Sequence, residues 1–192
     1  MDMFSFFALA VLALLATYAV VIYNNLVRLK HNVSRAWSNI QVLLKQRHDE
    51  LPKLVETCKQ HMGFERETLE KVMRARAEVA AAQQREDVAA LGPAEQRLRL
   101  GLGNLFAVAE AYPELRASES FQQLHSRISS LENSIADRRE YYNDSVNNYN
   151  VRIEQFPDLI LARLLNFRPK VLLRFEEKET ADLDMKALFN QG

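Results

Sequence analysis

A chain of 192 residues whose 25 Lys and Arg are balanced by 25 Asp and Glu carries no formal net charge. That balance excludes the global basic field that draws nucleic acid, so no nucleic-acid partner is expected. The lone cysteine, Cys58, excludes an internal disulfide. Five Gly and five Pro, beside abundant Ala, Leu, Arg, Glu and Gln, favour an all-α fold.

Residues 3–22, MFSFFALAVLALLATYAVVI, hold twenty positions without a charge. At about 1.5 Å per residue they span roughly 30 Å, the thickness of a bilayer's hydrocarbon core. Met3, Phe4, Phe7, Leu12, Leu15 and Ile22 supply the apolar surface. Tyr18 and Tyr23 suit its interface. A cleaved signal peptide would need a basic start and a small-residue cleavage site. Only Met1 and Asp2 precede the run, and Tyr23-Asn24-Asn25 closes it. The expectation is an uncleaved transmembrane anchor over residues 1–23. Arg28, Lys30 and Arg35 follow, with no acid before Asp49. Excess basic charge marks the cytoplasmic side, which predicts an outer N-terminus and a cytoplasmic remainder. Ala10, Ala13, Ala16 and Ala19 permit close helix contact within the membrane, a weak pointer to a homo-oligomer.

From Leu26 the apolar positions step by three and four through Leu29, Val33, Ala36, Ile40 and Leu43, then Arg47, Leu51, Leu54 and Cys58. This heptad stripe predicts that the anchor continues without a break into a bundle helix. Pro52 is expected to kink it rather than end it, because the stripe keeps its phase. Gly63 stops the first helix. A second carries Leu69, Val72, Met73, Arg76, Val79 and Ala80. Gly92-Pro93 reads as a break, with Pro93 opening a third helix whose stripe is Leu98, Leu102, Leu105, Ala109 and Tyr112. Gly101 and Gly103 within it suggest close backbone approach. Pro113 ends it.

Ser120-x-x-Gln123 reads as the capping box of a fourth helix. Its stripe runs from Phe121 to Phe156 through Ile128, Ile135, Arg138, Tyr142, Val146 and Tyr149. Pro157 closes it after roughly 36 residues, or about 54 Å. Four such helices predict an elongated antiparallel four-helix bundle over residues 24–157. Its path returns the end of the fourth helix to the membrane. Residues 158–175 then combine Leu159, Ile160, Leu161, Leu164 and Phe167 with Arg163, Arg168, Lys170 and Arg174. Asp158 is expected to cap a short helix there. This is the composition of a basic amphipathic segment at a membrane interface, beside Arg28, Lys30 and Arg35 and drawn to anionic lipid. Residues 176–192 form an acidic polar tail, with a short helix expected over 185–189.

No metal, cofactor or catalytic motif is found. His31, His48, His61 and His125 lack metal-site spacing. Glu132, Asp137 and Glu140 lack the Glu-x-x-His motif of di-iron bundles. Cys58, on the first stripe, reads as a buried thiol. The polar groups within the stripes say more. Aligning Asn25 with Phe156 as antiparallel ends places Arg47 opposite about position 134 and near Arg138. A buried Arg needs a partner, for which Glu50, Glu132 and Asp137 are candidates. Tyr142-Asn143 and Tyr149-Asn150 are seven apart, so they share a face. The expectation is a satisfied core polar layer of Arg47, Arg138, Tyr142, Asn143, Tyr149 and Asn150 that fixes helix register. The alternative is an open groove for a ligand or partner.

Three blocks carry a family resemblance. YNNLVRLKHNVSRAWSNIQVLLKQRHDELPKLVE at 23–56, AVAEAYPELRAS at 107–118 and LENSIADRREYYNDSVNNYNVRIEQFP at 131–157 resemble the LemA family of bacterial membrane proteins. The likeness covers nearly the whole chain except the tail, and departs at 61–65. It implies a short outer N-terminus, one membrane helix in the bacterial inner membrane and a cytoplasmic antiparallel bundle, with no established enzymatic activity. The expected function is therefore a non-enzymatic membrane-anchored scaffold or adaptor that self-associates, its protein partners unidentified. A membrane-shaping protein using residues 159–175, and a ligand-binding or enzymatic bundle with an Arg, Tyr and Asn pocket, are the alternatives.

Overall fold

The computed structural model describes residues 3–63 and 65–174, and within them it is helical with no strand. The polar tail at 176–192 lies outside the described residues. The first helix, α1, runs unbroken over Met3–Lys59 for 57 residues. Among the described residues, none before Ile22 is buried. The N-terminal run is long and apolar enough to cross a membrane, by length and composition. From Ile22 the helix enters the core through Leu26, Val33, Ala36, Ile40, Leu44, Leu51, Leu54 and Cys58. Those are the steps of the predicted stripe, with Leu44 more deeply placed than Leu43.

Pro52 lies inside α1 and does not end it. A proline has no N–H, so the carbonyl four residues earlier loses its helical donor. That carbonyl is His48 O, and it accepts instead from Arg76 Nε at 3.0 Å. An Arg from the next helix thus repairs the hydrogen bond that Pro52 removes. It ties the two helices together at the same point.

α2 spans Arg66–Gln84 and α3 spans Val88–Ala109. Three residues join them. Glu86 adopts a left-handed φ of 52°. The Glu86 and Asp87 amides donate back to Gln83 O and Ala82 O, both at 3.1 Å, the closing pattern of a Schellman turn. The Asp87 side chain then accepts from Ala90 N at 3.0 Å and caps α3. So α3 begins five residues before the expected break at Pro93, and Gly92-Pro93 lies inside it. A left-handed backbone costs a residue with a Cβ roughly 1–2 kcal/mol, partly offset in glycine by its greater unfolded freedom. Glu86→Gly should therefore stabilise the chain by about 0.5–1 kcal/mol, read as a higher thermal midpoint by circular dichroism in mild detergent.

α4 is short, Pro113–Ala117, with Pro113 in its first turn. α5 spans Glu119–Glu154 and is capped by Ser118, whose hydroxyl accepts from Phe121 N at 3.5 Å. The expected capping box at Ser120 and Gln123 is therefore displaced by two residues. Gln123 instead bonds Glu119 along the helix. α5 runs antiparallel to α1: Trp37 faces Tyr142, Arg47 meets Glu132, and Glu50 meets Arg127. α2 and α3 are likewise antiparallel, joined by Glu78 with Arg97 and Glu65 with Tyr112.

α6 covers only Asp158–Leu164. Asp158 does not cap it as expected. It is buried in the first turn and ion-paired with Arg152 of α5. Asn166, at a left-handed φ of 57°, ends the helix, with Phe167 N bonded to Ala162 O. Pro169 cannot continue a helix. Residues 168–174 run extended back along α5, a strap, where one amphipathic segment to residue 175 was expected. Position 175 lies outside the described residues.

Candidate functional site

Three constellations carry the polar chemistry. The first is a buried ion cluster. Arg47 Nη2 grips both Glu95 oxygens, at 2.5 and 2.7 Å, and Nη1 donates to Glu132 Oε1 at 2.6 Å. Arg47 is 1% exposed and Glu95 2%. The predicted facing position of about 134 falls two residues from the true partner. Burial lowers the affinity of Arg47 for its proton, but the two carboxylates outweigh it and hold the guanidinium charged. Burial raises the Glu95 carboxyl, and attraction to Arg47 does not fully reverse that.

Arg138 is exposed and does not join this layer. A second buried guanidinium would need further buried carboxylate, and Glu95 and Glu132 are committed to Arg47. Asp137 is exposed too. Glu50 is buried but pairs with Lys53 and Arg127. Glu95 escaped the sequence reading. It extends the third stripe one step upstream of Leu98, but in the first turn of a helix opened by Pro93 an acid reads as a favourable N-terminal residue rather than a core one.

The second constellation is made by Tyr142, Asn143, Tyr149 and Asn150. The Tyr142 and Tyr149 rings lie in the core as expected, Tyr142 against Trp37 of α1, and the four residues do not line an open groove. Their polar tips grip the strap. Asn143 donates to Leu173 O at 3.1 Å and accepts from Leu173 N at 2.8 Å. Asn150 does the same with Lys170, at 2.9 and 2.8 Å. The Tyr142 hydroxyl donates to Val171 O at 2.9 Å, and that of Tyr149 to Arg168 O at 3.0 Å. Both phenol rings are buried, which raises their pKa.

The match is one of two periods. Seven helical residues rise about 10.5 Å. Three extended residues cover about 9–10 Å. A Tyr-Asn pair repeated after seven residues therefore meets an extended backbone every third residue. Hence 142 and 149 reach 171 and 168, while 143 and 150 reach 173 and 170.

The third constellation is a collar where the apolar run enters the bundle. The Phe167 ring meets Tyr23 edge-on at 6.4 Å, and Lys30 Nζ stands 6.0 Å from the Phe167 centroid. Beside them Phe156, Ile160 and Leu164 are 80, 59 and 76% exposed. Ile160 and Leu164 are four residues apart on one face of α6, and Phe156 lies in the turn before it. Arg28, Arg163, Arg168 and Lys170 are exposed, as are Arg35 and Arg174. Arg28 hydrogen-bonds Asn25. Met3, Phe4, Phe7, Leu12, Leu15, Tyr18 and Tyr23 are all exposed, whereas Ile22 is already core.

Among the described residues, no cluster of three His, Cys, Asp or Glu side chains is placed to hold a metal ion. Burial pushes the Cys58 thiol up to about 11, which leaves it mostly unreactive at neutral pH. His125 packs edge-on against Phe106 at 4.3 Å. His48 stands against Arg76, and burial together with that cation lowers its pKa.

Comparison with known proteins gives one family. The model of the LemA family matches residues 36–186. Protein LemA of Metamycoplasma hominis is 28% identical over 169 residues, covering 87% of this chain and 75% of that protein. Magnetosome protein MamQ 2 of Paramagnetospirillum magneticum is 33% identical over 81 residues, 42% of this chain. Magnetosome protein MamQ of Magnetospirillum gryphiswaldense matches to the same extent. The match spans 29% of each MamQ protein's own length.

Proposed function

The chain belongs to the LemA family, and from that premise we propose that it is a non-enzymatic scaffold anchored in the inner membrane of a bacterium. Residues 1–23 form the anchor. The bundle of residues 24–157 stands on the cytoplasmic face, where Arg28, Lys30 and Arg35 favour it. The collar carries this reading. A helix of seven residues leaves Ile160 and Leu164 facing outward at the level where α1 changes from apolar surface to core. In water that exposure is unfavourable by about 1.5–3 kcal/mol for each large side chain. In the interface it is relieved, and each basic neighbour adds about 1 kcal/mol against anionic lipid. The bundle is thus held upright at two points. Its sides stay available to other copies and to partner proteins.

A photo-crosslinking residue at position 164 of the full chain, activated in bacterial membranes, should yield lipid adducts. Water-quenched product alone would overturn the seating. Mass measurement in native nanodiscs after gentle crosslinking should give a discrete oligomer, and a clean monomer would remove the self-associating form. The same outward face of α6 favours membrane shaping as a second reading. Under it, deleting residues 158–164 abolishes vesicle remodelling while the helical signal is kept.

A further inference from the structure

Asn143 and Asn150 each bond both the N–H and the C=O of a single strap residue. Such a grip reads backbone and leaves the side chain unread. All six hydrogen bonds from the two Tyr-Asn pairs end on main-chain atoms. The strap's own side chains mostly face away: those of Arg168, Lys170, Val171 and Arg174 are exposed. Leu173 alone is fully seated, at 1% exposure. The groove also has a shape requirement. A Cβ built on Gly92 of α3 would lie 1.9 Å from Arg174 O, so the strap passes directly over that glycine.

We propose that the two Tyr-Asn pairs of α5 form a binding site for extended polypeptide, and that the site takes residues 168–174 of a second copy in exchange for its own. An occupant must be extended over seven residues, present an apolar side chain at the position of Leu173, and cross Gly92 closely. The same segment of another copy meets every requirement by identity. The hinge is in place too, because the strap leaves α6 through the single left-handed residue Asn166, which is exposed. Exchanging an identical element keeps every contact and changes only its owner. This inference rests on the membrane-anchored reading in one respect: copies tethered in one plane hold their straps and grooves at one height.

The test uses the full chain in mild detergent and a fluorescent peptide of residues 166–174. Leu173→Asp lifts the chain's own strap. Lys170→Pro removes one gripped N–H from an exposed residue and serves if the first variant loses helix. The peptide should bind either variant saturably. It should bind at least tenfold more weakly to the unmodified chain, whose groove is filled. A similar loss is expected when Asn143→Leu and Asn150→Leu are added. A peptide N-methylated at Lys170 and Leu173 keeps its affinity for detergent but lacks both donors, and should also lose at least tenfold. Equal binding of the methylated peptide, or no saturable binding to a helical variant, overturns the site. For exchange, a Leu173→Asp chain should be captured by a tagged Asn143→Leu/Asn150→Leu chain several-fold better than either captures itself. Equal capture overturns exchange, yet leaves association through the anchor standing.

Discussion

Arg47→Ala should destabilise the bundle by about 3–5 kcal/mol, the largest single-site effect expected in this chain. The loss comes less from the ion pairs than from what remains. Glu95, 2% exposed, would keep a carboxylate with no cation, and Glu132 would lose its 2.6 Å donor. Thermal and urea unfolding of the full chain in mild detergent would measure it. Glu95→Gln should behave differently, costing within about 1 kcal/mol. It keeps an oxygen for Arg47 Nη2 and leaves the guanidinium paired one-to-one with Glu132. The pH dependence separates the two cases. Burial holds the Glu95 carboxyl above its ordinary value, so the folded state binds that proton more tightly than the unfolded state. Its contribution is therefore full below the unfolded pKa and is lost as pH rises through the folded one. Acidification through that window adds stability from this group, and Glu95→Gln should flatten the part of the stability profile that lies above the ordinary carboxylate range. An Arg47→Ala chain as stable as the parent would mean that water reaches the cluster.

The apolar skeleton was legible because burial has a period. The three-and-four stripe placed Leu26, Ile40, Leu51 and Leu54 in the core, and all four are. It carried the first helix through Pro52, which α1 crosses. Matching chain ends set the α1–α5 register to within two residues of the Arg47 contact. Helix starts were less legible. The caps at Asp87 and Ser118 are each worth about 1 kcal/mol, too little to outweigh a conspicuous Gly-Pro or Ser-x-x-Gln nearby. The strap was invisible as an element. Extended chain held through its backbone leaves no hydrophobic rhythm, and its basic and apolar mixture reads as an interfacial helix. Yet its receptor is legible, since the seven-residue spacing of Tyr142-Asn143 and Tyr149-Asn150 puts both pairs on one face. What the spacing could not say was that the partner would be a backbone rather than a core layer.

Close approach was also assigned to the wrong glycines, and the correction yields the second large expected effect. A Cβ at Gly103 would meet nothing within 4 Å, and one at Gly101 would lie 3.5 Å from a Val72 methyl, an ordinary contact. Alanine is favoured over glycine inside a helix by about 1 kcal/mol, so Gly103→Ala should stabilise by that amount. At Gly92 the sign reverses. The new Cβ would lie 1.9 Å from Arg174 O and 2.9 Å from Arg174 C. Those are backbone atoms and cannot rotate aside as a side-chain tip would. The end of the strap must lift, which unseats Leu173 and breaks its paired bonds with Asn143. A net loss of about 1–3 kcal/mol is expected, the range for overpacking, with faster amide exchange at Leu173 and little change in α1. The decisive comparison is made in a Leu173→Asp chain, where the strap is already lifted. There Gly92→Ala should turn from destabilising to stabilising, because only the helix preference remains. Coupling of this kind between positions on separate elements is what a double-mutant cycle isolates. If Gly92→Ala destabilises both backgrounds equally, the strap does not cross that glycine in solution.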